Sequence, residues 1–284
     1  MKTVCSQLAE LQADRKFLIG LINQQTNAAK AYVRRAQDWR WDDPDPVRKE
    51  KNVRAARIVA AITAGDEIAE ADINVFDRVS TTLMPFTAAM QPLQKARDDT
   101  ERVMIRAARD LPVAPWVKNV PGFGEKALAI IIGETGDLAN YDSVANVWKR
   151  LGLAPFTNGD GVTKACSTWR RFGGLTKEEW TGDDGPGYSP RRRAEVYSAL
   201  SDPLFRIQST RKGPYRAVYD KRRARTAETH PDWSLMQSHM DGLRIMTKYV
   251  ISDLWSEWRR ANIALAEKPI VQMSSAKPEH RPSA

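Results

Sequence analysis

The chain has few cysteines and no long apolar run. Cys5 and Cys166 are its only cysteines and form no Cys-x-x-Cys pair, so the sequence predicts neither a zinc site nor a disulfide framework. No apolar run approaches the roughly 18–20 residues that a membrane span needs, and the first residues turn polar too soon for a secretory signal. With 42% hydrophobic residues the composition is typical of a globular protein. We expect a cytoplasmic protein with no membrane partner, no metal and no cofactor.

Acidic residues are scarce in one segment of a chain whose net charge is +9. Residues 188–226 contain eleven basic and three acidic side chains, a local charge of +8. The basic residues are Arg191, Arg192, Arg193, Arg206, Arg211, Lys212, Arg216, Lys221, Arg222, Arg223 and Arg225. Such a local excess is typical of a protein that binds a polyphosphate. A solvated helical face is the alternative, but such faces usually interleave both signs.

The first third of the sequence shows a heptad-like pattern of apolar residues, interrupted by Arg15 and Gln25. The pattern consists of Val4, Leu8, Leu11, Leu18, Ile22, Ala29 and Tyr32. Steps of three, four and seven residues predict a long helix with a coiled-coil-like seam. We expect this seam to be a packing surface, either within a core or in a homo-oligomer.

Prolines and glycines limit the helices that follow. Pro44 and Pro46 end the first helix because proline lacks the backbone N–H that an inner helical position needs. Apolar residues then predict a second helix that ends near Gly65 and a third in which Pro85 and Pro92 produce a kink or a break. The second helix carries Val53, Ala56, Val59 and Ile62, and the third carries Phe76, Val79, Leu83, Phe86, Met90, Leu93, Met104, Ala107 and Leu111.

Beyond residue 111, glycine and proline become frequent, and no strand pair is convincing. A last helix is predicted from near Ser234, with an apolar stripe made of Met236, Met240, Leu243, Met246, Val250, Leu254 and Trp258. The polar end of the chain is expected to be disordered. The sequence therefore predicts a mainly α fold in three parts: a helical, coiled-coil-like region over 1–112, a second helical domain over 113–266, and a disordered tail over 267–284.

The run from Val120 to Lys126, Val-Pro-Gly-Phe-Gly-Glu-Lys, is the most specific local signal. An apolar helix through Trp116 precedes it and another apolar helix follows, which predicts a helix-hairpin-helix. Gly122 and Gly124 permit a tight turn whose backbone N–H groups approach a phosphate closely. The second helix directs its partial positive charge at the same phosphate, and Lys126 adds a full one. The alternative is an ordinary turn between helices, for which one glycine would suffice.

The residues that we expect to contact DNA lie in the hairpin and in the basic segments that follow it. They are Gly122, Phe123, Gly124, Lys126, Arg170, Arg171, Arg191, Arg192, Arg193, Lys221, Arg222, Arg223 and Arg225. Phosphate contacts position a duplex without reading its sequence, and they make binding strongly dependent on salt. Arg222, Arg223 and Arg225 are expected to be exposed, so that alanine at these positions weakens DNA binding and leaves folding intact.

Several motifs in one order carry a resemblance to a known family. They are Pro121-Gly122-Phe123-Gly124, Glu134-Thr135-Gly136-Asp137, Gly152-Leu153-Ala154-Pro155, Tyr188-Ser189-Pro190-Arg191-Arg192, the run from Tyr215 to Arg225, and Leu243-Arg244-Ile245. This order resembles the C-terminal domain of the DEDD-type insertion-sequence transposases (the IS-one-ten class), to which the Piv-type invertases also belong. The resemblance implies that residues 113–266 bind DNA in transposition and recombination of a mobile element. It also implies that residues 1–112 correspond to the family's linking coiled coil, and that a structured guide RNA is a candidate partner.

Two departures from the family pattern concern catalysis. In the family, a RuvC-like domain before the coiled coil supplies four metal-binding carboxylates. This sequence opens with helices, and its early acids do not promise a set that converges on metal ions; they are Glu10, Asp14, Asp38, Asp42 and Asp43. After Gly-Leu-x-Pro the family carries a nucleophilic serine, whereas residues 156–161 contain none. Thr157, Thr163 and Ser167 are nearby hydroxyls that do not match by position, and a nucleophile also needs an activating base or metal.

Three functions remain open from the sequence. The first is a transposase-like DNA-binding protein of the nucleoid, not catalytic by itself, acting as an accessory factor, a regulator or a domesticated remnant. The second is a split recombinase whose RuvC-like metal domain belongs to another polypeptide. The third is a structural helical oligomer with a basic face. The basic segment and the hairpin favour the first, and we expect no catalytic residue and no metal site in the chain by itself.

Overall fold

The computed structural model describes residues 2–154, 156–157, 163–164, 190–211 and 213–266. It is mainly helical, which confirms the predicted fold class. The chain divides into two compact units: unit 1 combines residues 1–9 with residues 104–284, and unit 2 comprises residues 10–103. None of the described helices is both long and apolar enough to cross a membrane. The tail predicted over 267–284 lies outside the described residues.

Four helices lie within the first 109 residues, and some of their ends coincide with prolines or glycines of the sequence. They are α1 (Lys2–Ala36), α2 (Asp45–Ala64), α3 (Ile73–Ala88) and α4 (Gln91–Arg109), with a 3-10 turn at Glu70–Asp72. The first helix ends at Ala36, before the limit predicted at Pro44 and Pro46. Gly65 ends α2 in the left-handed conformation with φ of 76°, as its lack of a Cβ permits. The predicted break near Pro85 and Pro92 falls between α3 and α4, with Pro85 inside the last turn of α3.

The core of unit 2 lies among α1, α2 and α3. Its buried residues are Ala29, Val33, Ala55, Ile58, Val59, Val75, Val79 and Leu83. Val33 is fully buried, whereas Tyr32, predicted in the seam, is 39% exposed. The buried stripe shifts by one position because an α-helix has 3.6 residues per turn and drifts against a strict seven-residue repeat. This part of the predicted seam therefore packs within one chain.

Arg15, which interrupts the apolar pattern, lies in a packed part of α1. Its Nε donates a hydrogen bond to Glu101 Oε1 of α4 at 2.7 Å, and only 8% of Arg15 is exposed. Leu11, Leu18 and Ile22 are half-buried. Self-association through these three side chains stays a prediction.

Unit 1 contains seven further helices and one short strand pair among the described residues. The helices are α5 (Ala114–Lys118), α6 (Glu125–Thr135), α7 (Val144–Arg150), α8 (Pro190–Val196), α9 (Asp202–Arg211), α10 (Pro214–Thr229) and α11 (Leu235–Ala266), with a π-helical turn at Tyr197–Ser201 and a 3-10 turn at Leu138–Asn140. The strands β1 (Phe156–Thr157) and β2 (Thr163–Lys164) pair antiparallel, with Phe156 opposite Lys164. Two-residue strands give too little alternation for the sequence to indicate them.

Two apolar helices form much of the core of unit 1. In α6, residues 127–132 are all buried, and a helix that is apolar all round belongs in an interior. The predicted stripe of α11 is buried at Leu243, Met246, Val250, Leu254 and Trp258, while Met236 at its start is 65% exposed. Residues 1–9 and the end of α4 belong to this unit, which is why the division differs from the limit predicted at residue 112.

Candidate nucleic-acid interface

The predicted hairpin is a tight turn between the short helix α5 and the longer helix α6. Gly122 has φ of 89°, and a Cβ built on it would lie 2.8 Å from Leu204 Cα and 3.0 Å from the carbonyl oxygen of Pro203. The Nε2 of the buried Gln208 side chain also donates to the carbonyl oxygen of Pro121 at 2.9 Å. Helix α9 therefore covers this side of the turn, and Gly122 is needed for that close approach.

Only part of the hairpin reaches the surface. Phe123 is 3% exposed, and its ring meets the Trp116 ring edge-on with centroids 6.0 Å apart, so it packs into the core. Gly124, which precedes the first turn of α6, and Lys126 within that turn are exposed. Of the four hairpin residues predicted to contact DNA, Gly124 and Lys126 are therefore placed to meet a ligand. The helix-hairpin-helix itself stays a prediction.

An acidic side chain shares the start of α6 with these residues. Glu125 Oε2 accepts a hydrogen bond from Arg109 Nε at 2.8 Å, and Lys118 Nζ lies 3.8 Å from Glu125 Oε1. Two cations therefore outnumber the one carboxylate at this helix end. The local charge remains positive once Lys126 is included.

Some arginines of the basic segment point inward and pair with buried acids. Arg192 Nε lies 2.9 Å from Glu134 Oε2, and the Glu134 side chain is 3% exposed. Arg222 pairs with Asp241 of α11, whose other oxygen accepts from Arg244 at 2.6 Å. Burial raises the pKa of Asp241, but the hydrogen bonds from both arginines outweigh it and hold the pKa below its usual range. Arg192 and Arg222 therefore link their helices to neighbouring ones.

The expectation that Arg222, Arg223 and Arg225 are all exposed is therefore wrong for Arg222, whose side chain is only 25% exposed. Arg223 is half-buried and donates to the carbonyl oxygen of Leu235 at 3.1 Å. Arg193 is also half-buried, with its guanidinium 5.3 Å from the centre of the Tyr197 ring. Arg225 alone of the three is exposed.

Five other cations of the segment face outward. Arg191, Arg211, Lys221 and Arg225 are exposed, and none has an ion-pair partner within the described part of the chain. Lys221 and Arg225 lie one turn apart on α10, so their side chains share one face. Arg206 is exposed as well, but it pairs with Asp202 at 3.1 Å. The structure thus adds Arg211 to the predicted contact residues that lie at the surface.

Aromatic side chains that the sequence analysis did not single out fix the opposite face of α10. Tyr219 Oη and His239 Nδ1 share a hydrogen bond of 2.7 Å, and Tyr215 donates to Asp253 Oδ2 at 2.7 Å. Burial raises the pKa of Tyr219 and lowers the pKa of His239. The spacing of Tyr215, Tyr219 and Thr226, all buried, was the available signal for this packed face.

The motifs behind the family resemblance have packing roles in this chain. Asp137 Oδ1 accepts hydrogen bonds from the Ala139 N–H and from Trp258 Nε1, both at 2.9 Å. Gly136 and Gly152 take positive φ angles of 73° and 72°, the first at the end of α6 and the second just after α7. These glycines allow sharp changes of chain direction that other residues adopt only with strain.

The remaining predicted residues lie in or around the segment that the structure leaves undescribed. Thr157 and Thr163 are opposite each other in the strand pair. Ser167, Arg170 and Arg171 lie outside the described residues. No group of three or more His, Cys, Asp or Glu side chains suited to a metal ion occurs in the part of the chain that is described.

No family model, no curated protein and no solved structure matches this chain. The resemblance to the DEDD-type transposases therefore rests on the sequence motifs alone. The function proposed below depends on the charge and exposure of residues in the chain itself.

Proposed function

We propose that this chain binds DNA through the phosphate backbone, using the outward-facing cations of the segment from α8 to α10. One observation carries the proposal: Arg191, Arg211, Lys221 and Arg225 are exposed and lack ion-pair partners among the described residues, and they belong to residues 188–226, whose charge is +8. Arginine and lysine side chains held in this way meet phosphate oxygens at little cost, because no internal ion pair has to break.

The start of α6 supports the same proposal. The first N–H groups of a helix have no partner within the helix, and together with the helix dipole they favour an anion. Gly124 and Lys126 are exposed at that end. A phosphate there would add a contact that does not depend on base sequence. We therefore expect DNA binding with weak sequence preference.

We further propose that the chain is transposase-like and contributes DNA positioning rather than chemistry. The support is the departure after Gly152-Leu153-Ala154-Pro155, where the family's serine is not present. The test incubates the purified chain with supercoiled plasmid and divalent metal. We expect neither nicks nor covalent adducts. An adduct at Thr157, Thr163 or Ser167 would instead show that the chain carries a relocated nucleophile.

The DNA-binding proposal is tested by fluorescence anisotropy of a short labelled duplex over a range of salt concentrations. The wild-type chain is compared with Lys221→Ala/Arg225→Ala, and we expect the double variant to bind more weakly at every salt concentration. The slope of log affinity against log salt should become shallower by about two units, because each B-DNA phosphate contact contributes about −0.9.

The control removes one lysine and one arginine from exposed positions elsewhere, Lys149→Ala/Arg78→Ala. It loses the same net charge, so it reports the effect of charge without the proposed surface. If both double variants change affinity and slope equally, the proposed surface is not the binding surface. Wild-type affinity that does not respond to salt would contradict phosphate binding altogether.

A further inference from the structure

A cleft of about 440 Å³ lies in unit 2, where α1 ends and the connection to α2 begins. It is lined by Ala31, Arg34, Arg35, Asp38, Trp39 and Arg40. Sites for small ligands usually occupy roughly 300–1,000 Å³. None of these residues belongs to the surface proposed above for duplex DNA.

The connection that forms one wall of the cleft is firmly held. Lys51 Nζ donates to the carbonyl oxygen of Asp38 and to Asp43 Oδ2, each at 2.9 Å. The Arg40 backbone N–H also donates to Asp43 Oδ2 at 2.9 Å. These contacts, first the Arg40 N–H and then Lys51, lower the pKa of Asp43. The side chains that project from the connection are therefore presented on a fixed backbone, which reduces the entropy lost when a ligand binds.

Two arginines of the cleft have unused hydrogen-bonding capacity. Arg35 and Arg40 are exposed, and neither guanidinium has an ion-pair partner among the residues that the structure describes. Arg34 is already engaged, because it donates to Asn52 Oδ1 at 3.2 Å and lies 5.5 Å from the centre of the Trp39 ring. A guanidinium offers two parallel N–H donors that match two phosphate oxygens.

The cleft has acidic as well as basic residues around it, and the acidic residues oppose the binding of an anion. Asp38 lines the cleft, and Asp42 is exposed beside it. A helix end also favours basic residues in its last turn, which accounts for Arg34 and Arg35 without any ligand. Arg40 lies beyond the last turn of α1, so the helix dipole does not account for it. The three arginines of the cleft exceed its single aspartate.

An aromatic side chain follows directly after the cleft. Trp41 is 78% exposed, while its carbonyl oxygen accepts a hydrogen bond from Arg48 at 3.0 Å. A large apolar ring is thus exposed to water on a hydrogen-bonded backbone, at the position that follows Arg40 in the chain. Exposed aromatic rings beside basic groups are how proteins stack the unpaired bases of single strands while holding the adjacent phosphates.

We propose that this cleft binds single-stranded nucleic acid, with a phosphate held by Arg35 and Arg40 and an unpaired base stacked on Trp41. The proposal rests on the proposed nucleic-acid function of the chain and adds a second, separate contact with a different substrate form. In a duplex the bases are already stacked on one another, so Trp41 has no base face to meet. The cleft therefore favours single strands over duplexes.

The test uses the full chain and two labelled probes, an oligothymidine and a mixed-sequence duplex of the same length. Arg35→Ala/Arg40→Ala should bind the oligothymidine about tenfold more weakly, since a charge-assisted contact contributes roughly that factor. Trp41→Ala should lose about fivefold or more, whereas Trp41→Phe keeps an aromatic face and should lose less. Asp42→Asn removes a repelling charge and should bind the oligothymidine more tightly.

The control within unit 2 is Arg78→Ala/Lys95→Ala, which removes the same charge from exposed positions outside the cleft. Its oligothymidine affinity should stay within about twofold of wild type, since it loses only screened long-range attraction. Duplex affinity should remain unchanged in the Arg35/Arg40 and Trp41 variants and fall in Lys221→Ala/Arg225→Ala. Oligothymidine binding at wild-type affinity by both Arg35→Ala/Arg40→Ala and Trp41→Ala would overturn this inference. A duplex defect in Lys221→Ala/Arg225→Ala would then still support the proposed function, so the two failures are distinguishable.

Discussion

The inward and outward faces of the segment from α8 to α10 carry the same kinds of side chain and use them differently. On the inward face, Arg192 and Arg222 pair with Glu134 and Asp241, which lie in other helices and are nearly inaccessible to water. On the outward face, Lys221 and Arg225 lie on one exposed side of α10 without acidic partners among the described residues. The excess of basic residues is therefore partly structural, and only part of it is available to a polyanion.

The largest effect expected from this difference is the loss of Asp241. Asp241→Asn leaves Arg222 and Arg244 without a charged partner in a partly buried setting, so the free energy of unfolding should fall by about 2–3 kcal/mol, near the lower end for a broken buried pair. Urea denaturation followed by circular dichroism measures it. Asp220→Asn, in an exposed pair with Arg216, is the matched control and should cost less than about 1 kcal/mol. Equal losses in both would mean that the two faces do not differ.

Breaking the second inward pair, Arg192 with Glu134, should also lower the free energy of unfolding, by a smaller amount. Glu134→Gln removes the carboxylate that pairs with Arg192, and the expected loss in free energy of unfolding is about 2 kcal/mol. Glu228→Gln, at an exposed position of α10, provides the control and should change the value by less than about 0.5 kcal/mol. If Glu134→Gln is as stable as wild type, the pair with Arg192 contributes nothing net.

Lowering the pH should reduce the contribution of Asp241 to the free energy of unfolding. Because the folded-state pKa of Asp241 is lowered, its contribution is complete above its unfolded pKa of about 4 and is lost as the pH falls through the folded value. The gap in stability between wild type and Asp241→Asn should therefore narrow below about pH 4. Denaturation curves of both proteins from pH 7 to pH 3 measure the gap. A gap that stays constant would show that the charge of Asp241 is not the source of its contribution.

The smallest expected effect on stability belongs to the outward face. Lys221→Ala/Arg225→Ala should leave the free energy of unfolding within about 0.5 kcal/mol of wild type, since no ion pair of the described chain is broken. Thermal unfolding of the same preparations used for DNA binding provides the measurement. Arg222→Ala is the informative comparison, because it should destabilise the protein. Marked unfolding of the Lys221/Arg225 variant would show that the outward cations are structural too.

The sequence was sufficient for several helix limits. Proline and glycine act on the backbone of their own neighbourhood, so Pro44 and Gly65 lie at the two ends of α2 and Pro92 lies at the start of α4. Neither residue type marks the end of α1 at Ala36. Periodicity also identified the buried stripe of α11, because long apolar helices keep one face inward. These signals are local, and they do not require knowledge of which elements meet.

Features that depend on contacts between distant positions could not be predicted from the sequence. Whether an arginine faces a phosphate or a buried carboxylate depends on the acid that the fold brings to it; Arg222 and Asp241 are 19 positions apart. Phe123 was predicted to contact DNA, but it is buried and packs against Trp116. The cleft at Arg35 and Arg40 lies in a run of basic and acidic residues whose net charge is close to zero. Composition therefore does not indicate a site there, and only the structure shows which of these charges are paired.

The turn between α5 and α6 is local in sequence, yet its hydrogen bond to Gln208 spans 87 residues. Closing a loop of that length costs more entropy than closing a short one, and contacts of high sequence separation slow folding. During synthesis the turn leaves the ribosome well before the residues of α9, which later cover Gly122. The nascent turn therefore stays open to solvent until α9 has been made.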